Sequence, residues 1–423
     1  MKLSPDNPLR RTGYRFFMLF QTVTSMGGGF HFVASHWILY EETQSPVSTA
    51  WLVISYMLPL LFINPICGVL ADRYNRRKLL AISVAYVLLL DLVLIGMMVA
   101  GVFRPSHLYA YAALVAVGNS LYWTTLPAYL REHLKKEELL HANSLNTALV
   151  QGGYLLGAGL AGVWYSVLGP IGLFAVDASG FAIGFIGWLC IGRWFKDRPV
   201  NPGDSGKRPG FFREFMEGVN YARANMALFI VALFCLVPRF AAHFSNVLLA
   251  GFCMDSLQAG PKGFGLLDMS YGIGAMVCGL TLPMFFARFG LRAMLPTLAI
   301  VAAALSCCML GGSGSLVPAM GWLAVFALFT HLVGIVASTT LQKDCDERVM
   351  GRLVSLVNVA QFLVAPALVW YLGSYANMES GWLLHEDPIR DGFVVMAVFY
   401  LVLAVLSLWA MYPFLRKRLT VPS

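Results

Sequence analysis

The chain has 423 residues, of which 58% are hydrophobic and only 12% are charged. Soluble globular domains carry about 25% charged residues, so this composition excludes an ordinary soluble protein. A formal net charge of +8 is compatible with nucleic-acid binding. The basic residues, however, lie in short loops beside long apolar runs, where they set membrane topology and contact anionic lipid head groups. We therefore expect a membrane protein that binds no nucleic acid.

Twelve apolar stretches, each near the length of one membrane crossing, divide the chain. A helix needs about 20 apolar residues to cross about 30 Å of hydrocarbon. The stretches therefore predict an all-α membrane protein with twelve transmembrane helices. In chain order they are residues 16–39, 48–70, 79–101, 107–130, 142–168, 171–195, 226–252, 263–286, 293–312, 316–340, 353–376 and 391–414.

A long polar linker, residues 201–210, separates the sixth stretch from the seventh. Residues 211–223 then resume an amphipathic pattern, which is typical of a helix on the membrane surface. The basic loop at 72–80 is faintly repeated at 287–295, and paired six-helix halves are a known transporter design. We predict an N-terminal six-helix bundle at 1–196, a cytoplasmic linker with an amphipathic helix at 197–225, and a C-terminal six-helix bundle at 226–423.

The basic residues indicate the orientation of the chain in the membrane. If the chain begins in the cytoplasm, the 30 Lys and Arg residues all lie on the cytoplasmic side except Arg104, Arg239, Lys262 and Arg390. Membrane proteins concentrate positive charge in their cytoplasmic loops. We therefore predict a multi-pass protein of a bacterial inner membrane with both termini in the cytoplasm.

The strongest local motif follows the second apolar stretch. Residues 68–78 read Gly-Val-Leu-Ala-Asp-Arg-Tyr-Asn-Arg-Arg-Lys and resemble the loop 2–3 signature of the major facilitator superfamily, G-x-L-x-D-R-x-G-R-R. A glycine lets helices approach closely, and an acid can accept hydrogen bonds at the start of a neighbouring helix. Asn75 stands at the second glycine of the signature, and asparagine is the next most tolerant residue of a left-handed backbone. The resemblance implies a conformational latch formed by Gly68, Asp72, Arg73, Arg76 and Arg77.

The resemblance extends over most of the chain. Several weaker segments are similar, in order and spacing, to one branch of that superfamily, which holds drug/proton antiporters, macrolide-efflux permeases and the enterobactin exporter. The resemblance implies the major facilitator fold, in which two six-helix bundles rock around a central cavity and proton entry drives transport. The segments are residues 43–45, 140–146, 265–267 with 272–274, 341–342 and 351–352.

Glycines cluster at residues 27–29 and again between 152 and 162. Small residues let the backbones of two transmembrane helices approach closely, so we interpret both runs first as packing surfaces, with a hinge as the alternative. Two residues depart from the branch pattern. Gly28 stands where the branch often has an acid, and Ala158 stands where it often has a proline.

Ionisable residues at membrane depth are costly and mark candidate functional sites. Asp91 lies near the middle of the third stretch, and Asp177 lies in the sixth. We expect Asp91, alone or paired with Asp177, to bind the coupled proton, with His31 and His243 as alternative carriers. The competing interpretation is that these residues pair between helices for packing, and for a single histidine this is the more common case.

Arg239, in the middle of the seventh stretch, is permanently charged and cannot neutralise itself. It is therefore the first candidate for substrate binding, together with His331, Trp123 and Gln361. An arginine and histidines set against one well-placed acid suit an anionic or zwitterionic molecule better than a lipophilic cation. Aromatic residues such as Trp123 are also typical of bundle cores and interfacial belts.

Three enzyme motifs are absent from the sequence, namely HExxH, a complete GxSxG and GxxxxGK[ST]. The sequence therefore lacks the motifs that zinc peptidases, serine hydrolases and P-loop ATPases need for catalysis. We expect no enzymatic activity, no cofactor and no metal, so transport would draw on an ion gradient. The expected protein is a monomer whose partners are a small-molecule substrate, protons and the lipid bilayer.

These observations predict a secondary active transporter. Its first-ranked function is the proton-coupled export of a siderophore or a similar small acidic metabolite, and multidrug efflux ranks second. Import of an iron–siderophore and translocation of a phospholipid or lysophospholipid stay open, because the sequence does not determine the direction of transport.

Overall fold

The computed structural model describes residues 10–195, 211–289, 295–344, 347–381 and 383–419. The regular elements within these ranges are helices, which is the all-α class that the composition predicted. A helix satisfies its own backbone hydrogen bonds, so it can cross a bilayer that offers no water. Eight helical segments in the described ranges are long and apolar enough to cross a membrane.

The chain forms two compact units, and the first comprises Met1–Gln44, Trp51–Gly206 and Gly260–Met269. Its core at one end is aromatic, with Tyr14, Phe17, Phe20 and Trp188 packed together. The helices that contribute to this unit are α1 (Thr12–Thr43), α2 (Pro46–Arg73), α3 (Arg76–Val99), α4 (His107–His133), α5 (Lys136–Cys190), a 3₁₀ turn (Ile191–Arg193) and the start of α9 (Gly260–Phe289).

The second unit comprises Ser45–Ala50, Lys207–Ala259 and Ser270–Ser423. The domain boundaries at 1–196, 197–225 and 226–423 stay a prediction. The other helices of this unit, besides the rest of α9, are α6 (Phe211–Ala224), α7 (Met226–Phe234), α8 (Val237–Gly251), a π-helix (Phe252–Ser256), α10 (Leu295–Gly311), α11 (Leu316–Asp344), α12 (Glu347–Ala376) and α13 (Pro388–Leu419).

Helix α5 contains a sharp backbone break at Gly169. Its dihedral angles are φ 62° and ψ −179°, a combination that is open essentially to glycine alone. Pro170 follows and cannot donate the backbone hydrogen bond that would continue the helix. The apolar segment Leu149–Arg193 has 45 residues, about twice the length of one crossing. The break agrees with the predicted boundary between stretches 142–168 and 171–195, while the total of twelve crossings stays a prediction.

The seventh predicted stretch, 226–252, is not one continuous helix. Helix α7 ends at Phe234 and α8 begins at Val237, with Pro238 in its first turn. Proline has no N–H to offer to the preceding turn, and it is well suited to the start of a helix. The interruption places Arg239 in the first turn of α8 rather than in the middle of a long helix.

Asn75 begins helix α3, and its role differs from the one that the sequence suggested. Its backbone is extended, with φ −61° and ψ 115°, and its side chain accepts a hydrogen bond from the Lys78 amide at 3.0 Å. The expectation of a left-handed residue is therefore wrong. Asparagine caps a helix start because its side-chain oxygen satisfies one of the free N–H groups there.

Glycines bring α1 and α5 into close contact. A Cβ atom built on Gly153 would lie 2.6 Å from the Thr22 carbonyl oxygen, and one built on Gly27 would lie 2.8 Å from Asp177 Oδ1. The packing interpretation of the two glycine runs is thus confirmed for these positions. Gly28 differs, because a Cβ there meets no described atom within 4 Å.

Candidate functional site

Four ionisable or polar side chains meet inside the first unit, each from a different helix. His31 of α1 lies with Nδ1 3.1 Å from Asp177 Oδ2 of α5 and 3.0 Å from the Tyr111 hydroxyl of α4. That hydroxyl donates a hydrogen bond to Asp91 Oδ1 of α3. The structure thus brings together three of the residues proposed for proton coupling and adds Tyr111. We call these four residues the acid–histidine cluster.

The close packing of α1 on α5 positions the cluster. Gly27 lies four residues before His31, on the same face of α1, and a Cβ on Gly27 would lie 3.1 Å from the Cα of Asp177. The absence of a side chain at Gly27 therefore lets His31 reach the Asp177 carboxylate. The rings of His31 and Tyr111 stack with centroids 5.2 Å apart, and Phe174 packs edge-on against both.

Burial differs within the acid–histidine cluster. Asp91 and Asp177 have no exposed surface, whereas the His31 side chain is 22% exposed. Among the described residues, Asp91 Oδ2 and both Asp177 carboxylate oxygens have no partner with hydrogen-bond geometry, although the ion-pair contact of Asp177 with His31 is close. Buried charge without full pairing is costly, and a proton held within the cluster removes part of that cost.

The cluster also offers donor atoms that a metal ion could use. His31 Nδ1 and carboxylate oxygens of Asp91 and Asp177 lie within 4.8 Å of one another. Hydrogen bonds and the ion-pair contact already link these groups through Tyr111 and His31.

Arg239 is the centre of a polar group in the second unit. Its Nη1 donates to Asn358 Oδ1 at 2.9 Å and to Gln361 Oε1 at 2.8 Å, both on α12. The Gln361 amide nitrogen lies 3.4 Å from His243 Nε2, which makes that ring nitrogen the acceptor. The Arg239 side chain is exposed on this unit although Gln361 is buried. Arg239 and Gln361, two of the predicted substrate-binding residues, are in direct contact in the structure.

Tyr271 links His331 of α11 to the start of α8. Its ring lies 5.8 Å from the ring of Tyr271, and the Tyr271 hydroxyl donates to the Pro238 carbonyl at 3.2 Å. His331 Nδ1 is 2.8 Å from the Ala327 carbonyl oxygen one turn earlier, so this nitrogen carries a hydrogen. The Nε2 atom is therefore the ring nitrogen that is available to bind another group.

Trp123 belongs to the first unit, where its side chain is 47% exposed. It packs edge-to-face on Tyr122 with ring centroids 5.5 Å apart, and the buried Tyr122 hydroxyl donates to Gln21. This environment fits a tryptophan of an interfacial belt as well as a ligand contact. Its role in substrate binding stays a prediction.

The proposed latch residues fall at the junction of α2 and α3. Arg76 forms an ion pair with Glu132 of α4 at 2.9 Å, and Arg77 donates to the Leu189 carbonyl of α5 at 3.4 Å, whereas Arg73 is exposed. The side chain of Asp72 lies outside the described residues. A Cβ on Gly68 meets no described atom within 4 Å, so the close helix approach expected there is not seen in the part of the chain that the structure describes.

Three polar residues that the structure makes notable were not among the sequence predictions. Tyr111 and Asn358 are uncharged, and nothing in the pattern of their own helices distinguishes them from packing residues. Asp268 of α9 is 7% exposed, and its Oδ2 has no partner among the described residues. Its acidic side chain within the predicted stretch 263–286 was a signal that could have identified it as a candidate site residue.

A family model described as Major Facilitator Superfamily matches residues 17–369 of this chain. Macrolide efflux protein A of Enterococcus faecalis is 24% identical over 325 residues, which cover 73% of this chain and 95% of that protein. The multidrug efflux pump Tap of Mycolicibacterium fortuitum is 22% identical over 422 residues, covering 94% of this chain and 96% of that protein.

Solved structures share the fold at low sequence identity. The nucleoside transporter NupG superposes with a TM-score of 0.73 at 14% identity, covering 95% of this chain and 99% of that one. A bacterial homolog to the human lysosomal transporter Spinster, inward-facing and occupied, gives a TM-score of 0.72 at 15% identity, covering 95% and 97%.

Proposed function

Because this chain belongs to the Major Facilitator Superfamily, we propose that it exports a siderophore or a similar small acidic molecule in exchange for protons. The family makes the chain a multi-pass membrane transporter rather than an enzyme. Two relatives that match most of its length are named as efflux proteins, which supports export over import. The distribution of basic residues supports a bacterial inner membrane with both termini in the cytoplasm.

The acid–histidine cluster is the observation that carries the proposal. Two fully buried carboxylates lie beside one imidazole that is partly exposed. Two carboxylates that share a site cannot easily both be ionised, so binding of a proton and its release change the charge of the unit's interior. Such a change alters the stability of one conformation relative to another, and this is what coupling to a proton gradient requires.

The surroundings of Arg239 support an acidic substrate. The guanidinium lies in the first turn of α8, where the helix dipole adds positive potential. Asn358 and Gln361 accept from one of its terminal nitrogens, which fixes the plane of the guanidinium without neutralising its charge. A planar, fixed guanidinium is suited to bidentate binding of carboxylate or catecholate oxygens.

Multidrug efflux is the second candidate function, and the relatives favour it. The matched curated proteins include ones named for macrolide efflux and for multidrug efflux. The buried acid Asp268 offers negative charge that a cationic drug could use. The two candidates therefore differ in the charge of the molecule that the purified protein binds.

Coupling is tested in vesicles that contain the purified full chain and a catecholate siderophore. An imposed proton gradient should drive flux in the native protein. Asp91→Asn should make the flux insensitive to the gradient, because the side chain keeps its volume but can no longer exchange a proton. Asp255→Asn, at an exposed site outside the cluster, is the matched control and should behave as the native protein. Gradient-driven flux that survives in Asp91→Asn would remove Asp91 as the carrier.

Substrate charge is tested by binding to the same purified protein. Arg239→Lys keeps the positive charge but loses bidentate geometry, so siderophore affinity should fall by roughly tenfold or more, the order of one charge-assisted hydrogen bond. Arg223→Lys on α6, where the side chain is exposed, is the control. Unchanged siderophore affinity in Arg239→Lys, or tighter binding of ethidium than of siderophore by the native protein, would move the assignment to multidrug efflux.

A further inference from the structure

We propose that the Tyr111 hydroxyl relays protons between His31 and Asp91. This inference rests on the proposed proton coupling and adds the path by which a proton reaches the buried acid. The path begins at His31, passes through the Tyr111 oxygen and ends at Asp91 Oδ1.

The directions of the hydrogen bonds define this path. A phenol has one hydrogen, and Tyr111 donates it to Asp91 Oδ1. The Tyr111 oxygen must therefore accept from His31 Nδ1, 3.0 Å away, so this nitrogen carries a hydrogen. The same Nδ1 lies 3.1 Å from Asp177 Oδ2. The two hydrogen bonds of Tyr111 therefore run in one direction, from His31 to Tyr111 and from Tyr111 to Asp91.

Among the four residues of the cluster, His31 has the largest exposed surface. Asp91 and Asp177 have no exposed surface and Tyr111 is 5% exposed, whereas the His31 side chain is 22% exposed. A proton that enters from outside the unit therefore meets the imidazole before it meets the buried acids. Asp91 is separated from that imidazole by the Tyr111 hydroxyl, and the transfer needs this oxygen as an intermediate.

The transfer balances in protons and charge. His31, once it is an imidazolium, gives its Nδ1 proton to the Tyr111 oxygen while Tyr111 gives its own hydrogen to Asp91 Oδ1. One N–H and one O–H bond break, and two O–H bonds form. Asp91 becomes a neutral acid, Tyr111 is again a phenol, and His31 is left as the neutral Nε2–H tautomer. The reverse sequence releases the proton.

The ionisable groups that face Tyr111 come from three other helices. They are His31 of α1, Asp91 of α3 and Asp177 of α5. On α4 itself the neighbouring ionisable residues are His107, one turn earlier, and Tyr109. His36 lies further along α1 and is buried, with Nδ1 3.0 Å from the Phe32 carbonyl oxygen.

The ring and the hydroxyl of Tyr111 have separable roles. The ring stacks on His31 and packs edge-on against Phe174 at 6.0 Å, and a phenylalanine keeps both contacts. Tyr111→Phe therefore removes the hydroxyl alone. Tyr109→Phe makes the same chemical change two residues away and is the matched control.

The experiment follows protonation of Asp91 by infrared difference spectroscopy after a laser-released proton pulse, with the purified full chain in lipid vesicles. The C=O band of the protonated acid is assigned to Asp91 by its loss in Asp91→Asn. In Tyr111→Phe the band should appear at least about tenfold more slowly, the order of one charge-assisted hydrogen bond. It should also lie at higher frequency, because the protonated carboxyl has lost the Tyr111 oxygen as its hydrogen-bond partner. Tyr109→Phe should match the native protein.

The outcomes separate this inference from the proposed function. A native band that Asp91→Asn does not remove would show that Asp91 is not the carrier, and proton coupling at this cluster would fall with it. An Asp91 band with native rate and frequency in Tyr111→Phe would overturn the relay alone. If Tyr111→Phe does not insert, His31→Gln interrupts the same path one group earlier. Unchanged protonation kinetics in that variant would also overturn the relay.

Discussion

Two adjacent glycines of α1 should respond in opposite ways to the same substitution. A Cβ at Gly27 would lie 2.8 Å from Asp177 Oδ1, 3.1 Å from the Asp177 Cα and 3.2 Å from its carbonyl oxygen. Two of these three atoms belong to the backbone of α5, so they cannot rotate away. A Cβ at Gly28 meets no described atom within 4 Å.

The size of the effect follows from overpacking. An extra methyl group in a well-packed interior costs about 1–3 kcal/mol, and the helix propensity of alanine over glycine, about 0.8–1.0 kcal/mol, offsets only part of it. Gly27→Ala should therefore destabilise the first unit or push α1 away from Asp177. Gly28→Ala should be neutral or slightly stabilising, because it gains the propensity without the clash.

Thermal unfolding of both variants in lipid nanodiscs measures this difference. About 1 kcal/mol corresponds to roughly 2–4 °C in Tm for a unit of 150–250 residues, so Gly27→Ala should fall below Gly28→Ala by several degrees. Proton-driven flux should fall in the same variant, since His31 would lose its distance to Asp177. Equal Tm values for the two alanine variants would refute the packing argument.

Three further predictions test other parts of the molecule. Asn75→Ala should lower the free energy of unfolding by about 1 kcal/mol because α3 loses its cap, whereas Asn75→Asp keeps the acceptor for the Lys78 amide and should be neutral. Hydrogen exchange of the Lys78 amide distinguishes the two variants, and equal exchange in both would argue against the cap. Reporter tags at residue 1, within residues 203–210 and at residue 423 should all report the cytoplasm, and a periplasmic signal from the linker would contradict the six-plus-six arrangement. Asp72→Asn should impair transport while leaving insertion intact, because it removes charge but keeps volume; native flux in this variant would show that the motif serves topology only.

The amino-acid sequence alone predicted the features that depend on short segments. Hydropathy identified a multi-pass α-helical membrane protein, and the motif at 68–78 identified the superfamily. The break between residues 168 and 171 was visible because Gly169 and Pro170 act on the local backbone. Asn75 shows the limit of local reasoning, since both a left-handed residue and a helix cap suit asparagine, and only the observed dihedral angles distinguish them.

The acid–histidine cluster depended on tertiary structure. Asp91, Asp177 and His31 were each visible as ionisable residues at membrane depth, but their positions along the chain do not show that they share one site. Which side chains meet depends on the rotation of each helix about its axis, and in this protein the packing of small residues such as Gly27 determines that rotation for α1 and α5. Tyr111 had no charge to distinguish it from other tyrosines of the spans, and it becomes a candidate only because its hydroxyl lies between His31 and Asp91.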